Sequence, residues 1–301
     1  TKESASKLYQ IGMVTDALWT DFDNDQDKDL ILLGEWMPIT IFENQEGKLD
    51  TEPIIIKGTN GWWNTIAEGD FDNDGDLDFL VGNLGLNTDY RASLEEPFRL
   101  YAKDFDENGS IDPILSQYID GVEQAVAYRD NLIEQIPPLK RRFTTYKQYA
   151  ETPFADIFEA AELKNAEVLE SYLFSSCYVE NFGQGQFEIR PLPMELQMAP
   201  LKKFLVEDFD RDGNLDALII GNDYSTDVTI GRYDAFTGAV LLGNGTGNFK
   251  VVRGAISGFL ANKNAQNMIK VQLGTDTESG EFVWVGNNSD SLQVFKKVSR
   301  N

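Results

Sequence analysis

Apolar positions along the chain fall into short blocks set between polar ones. Three blocks directly follow an acidic stretch: Leu30, Ile31, Leu32 and Leu33 before Gly34, then Phe79, Leu80 and Val81 before Gly82, then Ala217, Leu218, Ile219 and Ile220 before Gly221. Continuous apolar runs this short predict strands buried on both faces. A second recurring unit, at 39–49, 177–187 and 240–249, sets a tight turn between two strands. The turns carry Asn44 and Gly47, Asn181 and Gly185, and Asn244 and Gly247, and the turn chemistry predicts hairpins. An acidic-loop hairpin followed by a glycine-turn hairpin makes a four-stranded sheet, and such sheets arranged radially make a propeller. Segments 268–273, 282–286 and 292–296 read as one further blade without the acidic loop. The expected fold is therefore all-β: a β-propeller over 1–301 of four-stranded blades, four or five of which can be counted, so either a partial propeller or one of unusual size, with a helical insertion.

That insertion is expected at 123–173. The third and fourth acidic loops are separated by 95 residues, against 40 between the first two. Leu132, Ile133, Ile136, Leu139, Phe143 and Tyr146 recur at three-to-four spacing around a Pro137-Pro138 interruption, and 162–173 is also helix-prone. Lys140, Arg141, Arg142 and Lys147 cluster there. They read either as a solvated face or as a docking surface for an acidic partner.

The acidic stretches are four versions of one nine-residue loop. The first holds Asp21, Asp23, Asp25, Asp27 and Asp29, and the second Asp70, Asp72, Asp74, Asp76 and Asp78. The third holds Asp104, Asp106, Asn108, Ser110 and Asp112, and the fourth Asp208, Asp210, Asp212, Asn214 and Asp216. Calcium takes six to eight oxygens, so a loop must wrap several carboxylates about one point. Positions 1, 3, 5 and 9 supply them, while position 7 contributes its backbone carbonyl and so tolerates Asp27, Asp76, Ser110 and Asn214. Position 6 is glycine in three loops, where the chain turns sharply, and Gln26 in the first. An EF-hand would need a bidentate Glu at position 12, but Leu32, Val81, Leu115 and Ile219 stand there. The expected cofactor is Ca2+, three or four ions.

These loops resemble the FG-GAP or VCBS repeats of integrin α-subunit propellers and of many bacterial surface proteins. The resemblance implies Ca2+ held between two strands of a blade, with liganding roles for the positions just named. Gly61-Trp62-Trp63-Asn64-Thr65, the stretch 128–137 and Gly231-Arg232-Tyr233-Asp234-Ala235 are similar to large FG-GAP/VCBS proteins of Bacteroidetes-type bacteria, often outer-membrane lipoproteins. That similarity implies the C-terminal part of a longer exported protein, lipid-anchored through a preceding N-terminal region.

Composition narrows the function. Lys+Arg 26 against Asp+Glu 50 gives a formal charge of -24, which repels nucleic acid and anionic lipid. With no histidine, no Ser-His-Asp triad and no histidine-ligated zinc can be built. The lone Cys177 lies among apolar residues and reads as core. No apolar run approaches the ~20 residues that span a bilayer.

A non-catalytic, calcium-stabilised propeller is expected, serving as a protein-binding or assembly module at the bacterial cell surface. Its partner would be another surface or outer-membrane protein or the rest of its own chain. Extracellular modules bind calcium at about 0.1 to 1 mM, which cytosolic calcium would not fill. Two alternatives stay open. One is a glycan-binding accessory protein using Trp36, Trp62, Trp63, Asn64, Asn87 and Tyr90, or the loop with Asp223, Tyr224, Arg232, Tyr233 and Asp234. The other is a calcium-dependent polysaccharide lyase or hydrolase. Asp70→Ala and Asp78→Ala are both expected to lower the melting temperature in calcium and to matter little in chelator.

Overall fold

A computed structural model describes residues 6–227, 229–274 and 280–298. The chain divides into two compact units, one of Thr1–Lys57, Trp62–Asn87 and Phe174–Asn301, the other of Gly58–Gly61 and Thr88–Leu173. Both are built mainly of antiparallel sheet.

In the first unit four larger sheets follow one another along the sequence, beside a two-stranded one of Asn44–Gln45 and Lys48–Leu49. The first runs through Met13–Thr20, Asp29–Met37, Thr40–Phe42 and Ile54–Ile55. The second uses Thr65–Gly69, Asp78–Gly82, Cys177–Asn181 and Phe187–Pro191, and the third Leu201–Glu207, Asp216–Gly221, Ala239–Gly243 and Phe249–Arg253. The fourth has three strands among the described residues, Ala265–Leu273, Gly280–Asn287 and Gln293–Lys296. Within each sheet the strands lie side by side in chain order. The second strands are the apolar blocks of the sequence, and in the second and third sheets every residue of that strand is buried.

The first strands of successive sheets also touch one another, and their contacts are polar. Asp16 Oδ2 accepts from Thr65 Oγ1 at 3.0 Å and from the Ile66 N–H at 3.1 Å, joining the first sheet to the second. Lys202 Nζ donates to Asn64 Oδ1 at 2.8 Å, joining second to third. Glu207 accepts from Lys270 at 2.7 Å and from Lys297 at 2.9 Å, joining third to fourth. Behind the last of these contacts the apolar core is continuous: Leu218, Ile220 and Val240 of the third sheet pack with Met268, Val283 and Val285 of the fourth.

The second unit has its own four-stranded sheet of Phe98–Lys103, Asp112–Ile119, Val122–Ala125 and Glu167–Ser171. It is inserted between the second and third strands of the second sheet, and it contains the third acidic loop. Short helices occur at Arg129–Gln135, Tyr146–Ala150, Phe154–Ile157 and Ala160–Leu163, with a 3-10 turn at Pro137–Arg141. Leu132, Ile136, Leu139 and Phe143 are buried with Ile114 of the sheet, as their spacing predicts, whereas Tyr146 is exposed. The helix-prone run at 162–173 behaves differently. The helix ends at Leu163, Asn165 turns with φ 65°, and Glu167–Ser171 pairs antiparallel with Phe98–Lys103. Pairing with a strand distant in sequence overrides the local helical preference there.

Aromatic side chains from the acidic loops fill the space between sheets in the first unit. Phe71, 1% exposed, meets Tyr178 at 6.1 Å and Phe249 at 5.6 Å, edge-on. Phe22 meets Phe187 at 6.1 Å. Phe249 and Phe187 each belong to the fourth strand of the next sheet. Removing such a ring leaves a cavity that close-packed neighbours cannot fill. Phe71→Ala is expected to cost about 3 to 5 kcal/mol in urea unfolding, while Phe182→Ala, at an exposed turn, should stay within about 0.5 kcal/mol.

Candidate metal centres

Each acidic loop joins the first strand of its sheet to the second, and position 9 is the first residue of that second strand: Asp29, Asp78, Asp112 and Asp216. This placement buries it. Asp29, Asp78 and Asp216 are wholly shielded from solvent and Asp112 nearly so. A buried carboxylate must be met by donors, and the chain supplies them in a fixed pattern. One oxygen accepts the backbone N–H of position 2: Phe22 at 3.2 Å, Phe71 at 3.2 Å, Phe105 at 2.9 Å and Phe209 at 2.8 Å. In the three loops of the first unit the other oxygen accepts from the third strand or its end, through the N–H of Asn44 at 2.8 Å, Asn181 at 2.9 Å and Gly243 at 3.0 Å. Asp78 takes a further bond from the Tyr178 hydroxyl at 2.6 Å.

Position 1 gathers the turn. Asp21 accepts from the N–H groups of Asp25 and Gln26, Asp104 from those of Asn108 and Gly109, and Asp208 from those of Asp212 and Gly213. Asp70 accepts from Gly75 through Oδ2 at 3.2 Å, while its buried Oδ1 has no hydrogen-bond partner. A left-handed residue at position 6 makes the turn possible. Its φ is 100° in Gly75 and 92° in Gly109 and Gly213, and Gln26 adopts the same region at 79°.

The outcome is that carboxylate oxygens of positions 1, 3 and 9 lie within 4.8 Å of one another in all four loops: Asp21, Asp23 and Asp29; Asp70, Asp72 and Asp78; Asp104, Asp106 and Asp112; Asp208, Asp210 and Asp216. Position 5 faces along the loop instead. Asp25, Asp74, Asn108 and Asp212 each accept the N–H of position 7 through Oδ1, at 2.8 to 2.9 Å. The side chains of position 7 have partners of their own outside the cluster: Asp27 accepts from the Glu46 N–H at 2.8 Å, Asp76 from Asn24 Nδ2 at 2.8 Å and Asn214 from Asn73 Nδ2 at 2.9 Å.

Burial pushes the carboxyls of Asp29, Asp78 and Asp216 above the ordinary range, Asp78 to about 6, against the lowering effect of the donors that face them. Asp23 and Asp72 are raised by burial and by neighbouring carboxylates. A cation held among the carboxylates reverses this preference and favours the charged forms. The donor set is all hard oxygen, and the unpartnered Asp70 Oδ1 is an acceptor for which the fold supplies no hydrogen. Both suit an oxygen-seeking divalent ion, so the residues fit calcium.

Two further carboxylates stand near the loops, and the nine-residue pattern does not include them. Burial and the nearby Asp23 raise Glu43, and burial likewise raises Glu180, which also faces Asp72. They precede Asn44 and Asn181 at equivalent places, and that repeated Glu-Asn pair is the signal that marks them. The third sheet shows why the pair is hard to align. Gly243, not Asn244, occupies the place of Asn44 and Asn181, since Asp216 accepts from it.

The other candidate residues lie outside these clusters. Trp63 is fully buried, Trp36 meets Trp62 edge-on at 5.3 Å, and Trp62 meets Phe174 at 5.4 Å. In the second unit Tyr90 lies 4.8 Å from Phe98. Asn87 donates to the Met198 carbonyl at 3.1 Å and Asn64 accepts from Lys202. Asp223 pairs with Lys202 at 3.0 Å, Arg232 lies over Tyr224 at 5.1 Å, Tyr233 is buried and Asp234 exposed. Cys177 is buried and its thiol is pushed up to about 12 by burial, which disfavours the thiolate. Of the basic cluster, Arg142 pairs with Glu162 at 3.0 Å and Lys147 with Glu151 at 3.8 Å, while Lys140 and Arg141 are exposed.

Residues 21–81 match the FG-GAP-like repeat. The matched stretch takes in the first two loops and the strands that follow them, and it supports the FG-GAP repeat family and its all-β fold. No curated protein matches the chain.

The geometry separates two kinds of loop aspartate. Asp78→Ala strips the acceptor from three buried donors, so it is expected to lose about 3 kcal/mol or more even in excess chelator. This departs from the expectation drawn from sequence, which treated Asp78 as a ligand alone. Asp72→Ala, whose carboxylate accepts one exposed N–H, should lower the melting temperature chiefly when calcium is present. Thermal unfolding of both variants in calcium and in chelator checks the distinction.

Proposed function

We propose that the chain is a non-catalytic, calcium-stabilised β-propeller module of a bacterial cell-surface protein, whose work is to bind or assemble with another protein. The observation that carries this reading is the three-carboxylate cluster repeated in four loops of one design. Carboxylates brought so close repel unless a counter-charge lies among them, and the residues that gather them are the same in each loop. Asp21, Asp23 and Asp29, and their counterparts in the other three loops, would hold the ions, with position 5 beside them and the carbonyl of position 7 completing the shell. The bound ion supplies stability and not chemistry: it pins the first strand of a sheet to the second.

The radial arrangement is supported by the first strands, which touch in series from sheet to sheet in the first unit. A role outside the cytoplasm follows from affinity, because loops of this kind would fill at about 0.1 to 1 mM calcium. No helix among the described residues is long and apolar enough to cross a membrane, so attachment to a surface would come through another part of the protein or through a partner. A surface or outer-membrane protein, or a further region of the same polypeptide, is the partner that fits an assembly role.

Calcium that binds the folded loops and not the unfolded chain stabilises by mass action, about 1.4 kcal/mol per site at ten times Kd. Three or four filled sites should raise the melting temperature by on the order of 10 °C. Unfolding in calcium, magnesium and chelator, with metal content by mass spectrometry, tests the proposal. A calcium-specific rise with three or four ions per chain is expected. No bound calcium and no shift would leave the loops as acidic turns and remove the argument for location.

A further inference from the structure

The loops of the first unit are linked to one another by a repeated contact. Asn24, at position 4 of the first loop, donates through Nδ2 to Asp76 Oδ1 at 2.8 Å and to the Gly75 carbonyl at 3.4 Å. Asn73, at position 4 of the second loop, donates to Asn214 Oδ1 in the fourth at 2.9 Å. Both acceptors stand at position 7. The same register therefore recurs: position 4 of one loop grips position 7 of the loop in the next sheet. Behind the second contact lies Gly245, with φ 68°, where a Cβ would overlap the side-chain amides of both Asn73 and Asn214. The turn is bare at the place where the pair is seated.

Backbone conformation does not account for these asparagines by itself. Position 4 is left-handed in all four loops, with φ 61° at Asn24, 62° at Asn73, 60° at Glu107 and 66° at Arg211. Asparagine tolerates that region well. Glu107 and Arg211 occupy it too, so the conformation does not demand an amide.

We propose that Asn24 and Asn73 are coupling residues through which the three loops of the first unit fill with calcium as a cooperative set. The inference rests on the calcium reading above. Position 4 lies between ligand positions 3 and 5, so an ion in its own loop fixes its backbone. Position 7 lies between ligand positions 5 and 9, so the ion of the next loop fixes that one. Each contact thus joins two segments ordered by different ions, and ordering already achieved by one need not be met again by the other. The link from the first loop to the second is the stronger, because its acceptor is a carboxylate.

The test is calcium titration by calorimetry of the full chain carrying Asp106→Ala, which removes a ligand from the loop of the second unit. The parent is compared with Asn24→Gly, Asn73→Gly and Asn24→Asp. Glycine keeps the left-handed backbone while removing the amide, and aspartate replaces the donor to Asp76 with a like charge. A parent Hill coefficient above one is expected, falling toward one in each glycine variant. Half-saturating calcium should rise roughly three- to tenfold, and further in Asn24→Asp, with the melting temperature falling less in excess chelator than in calcium. Superimposable isotherms, or a parent that binds without cooperativity, would overturn the coupling and leave the calcium reading standing. A melting temperature that falls as far in chelator as in calcium would make the contacts merely structural and overturn it as well. A parent that takes up no calcium would overturn the calcium reading itself, and the coupling with it.

Discussion

The buried carboxylate at position 9 is the constraint on which the first unit depends. Asp29, Asp78 and Asp216 each sit at the start of a second strand with no access to water, where an unmet charge would be prohibitive. Each is met by the N–H of a phenylalanine seven residues earlier and by an N–H from the third strand or its end. One side chain thereby closes the loop, sets the position of the third strand and fixes the backbone of the phenylalanine. In the first two loops the aromatic ring is held where the next sheet needs it, against Phe187 or Phe249. A local electrostatic requirement is in this way converted into packing between sheets.

The same carboxylate explains why the loops are richer than a metal site alone would need. Positions 1, 3 and 9 converge, but position 9 spends much of its capacity on backbone donors, and position 5 is turned toward the N–H of position 7. The loop is a hydrogen-bonded turn as well as an acidic cluster, and the same side chains serve both.

Much of this was legible in the residues. The nine-residue pattern fixes where strands begin, because an Asp-rich turn running directly into Leu30–Leu33 or Ala217–Ile220 leaves few other structures, and the second strands lie where those blocks predict. The strands of the fourth sheet overlap the segments 268–273, 282–286 and 292–296 expected as a further blade. What was not legible depends on partners distant in sequence. Nothing local tells that Asp78 receives a hydroxyl from Tyr178, that Asp76 faces Asn24, or that 167–171 leaves a helical neighbourhood to pair with 98–103. Glu43 and Glu180 were hidden for a related reason: they approach the loops from the third strand, and only the pairing of strands brings them there. The third acidic loop fits the repeat in sequence, yet it belongs to a separate unit, a fact that only the pairing of its strands reveals.

The point where the second unit enters has a consequence for how the chain can vary. The host chain leaves the second sheet after Gly82 and returns before Cys177, and its two ends are fastened together: the Gly85 N–H donates to the Phe174 carbonyl at 2.8 Å and the Asn83 N–H to Ser176 Oγ at 2.9 Å. Because that clasp belongs to the host, the closure entropy of whatever lies between grows only with the logarithm of its length. The segment can thus differ in length at little entropic cost while the second and third strands stay in register. A change of length in that segment therefore costs the host sheet little, and the clasp is the joint that makes the second unit separable from the strands on either side of it.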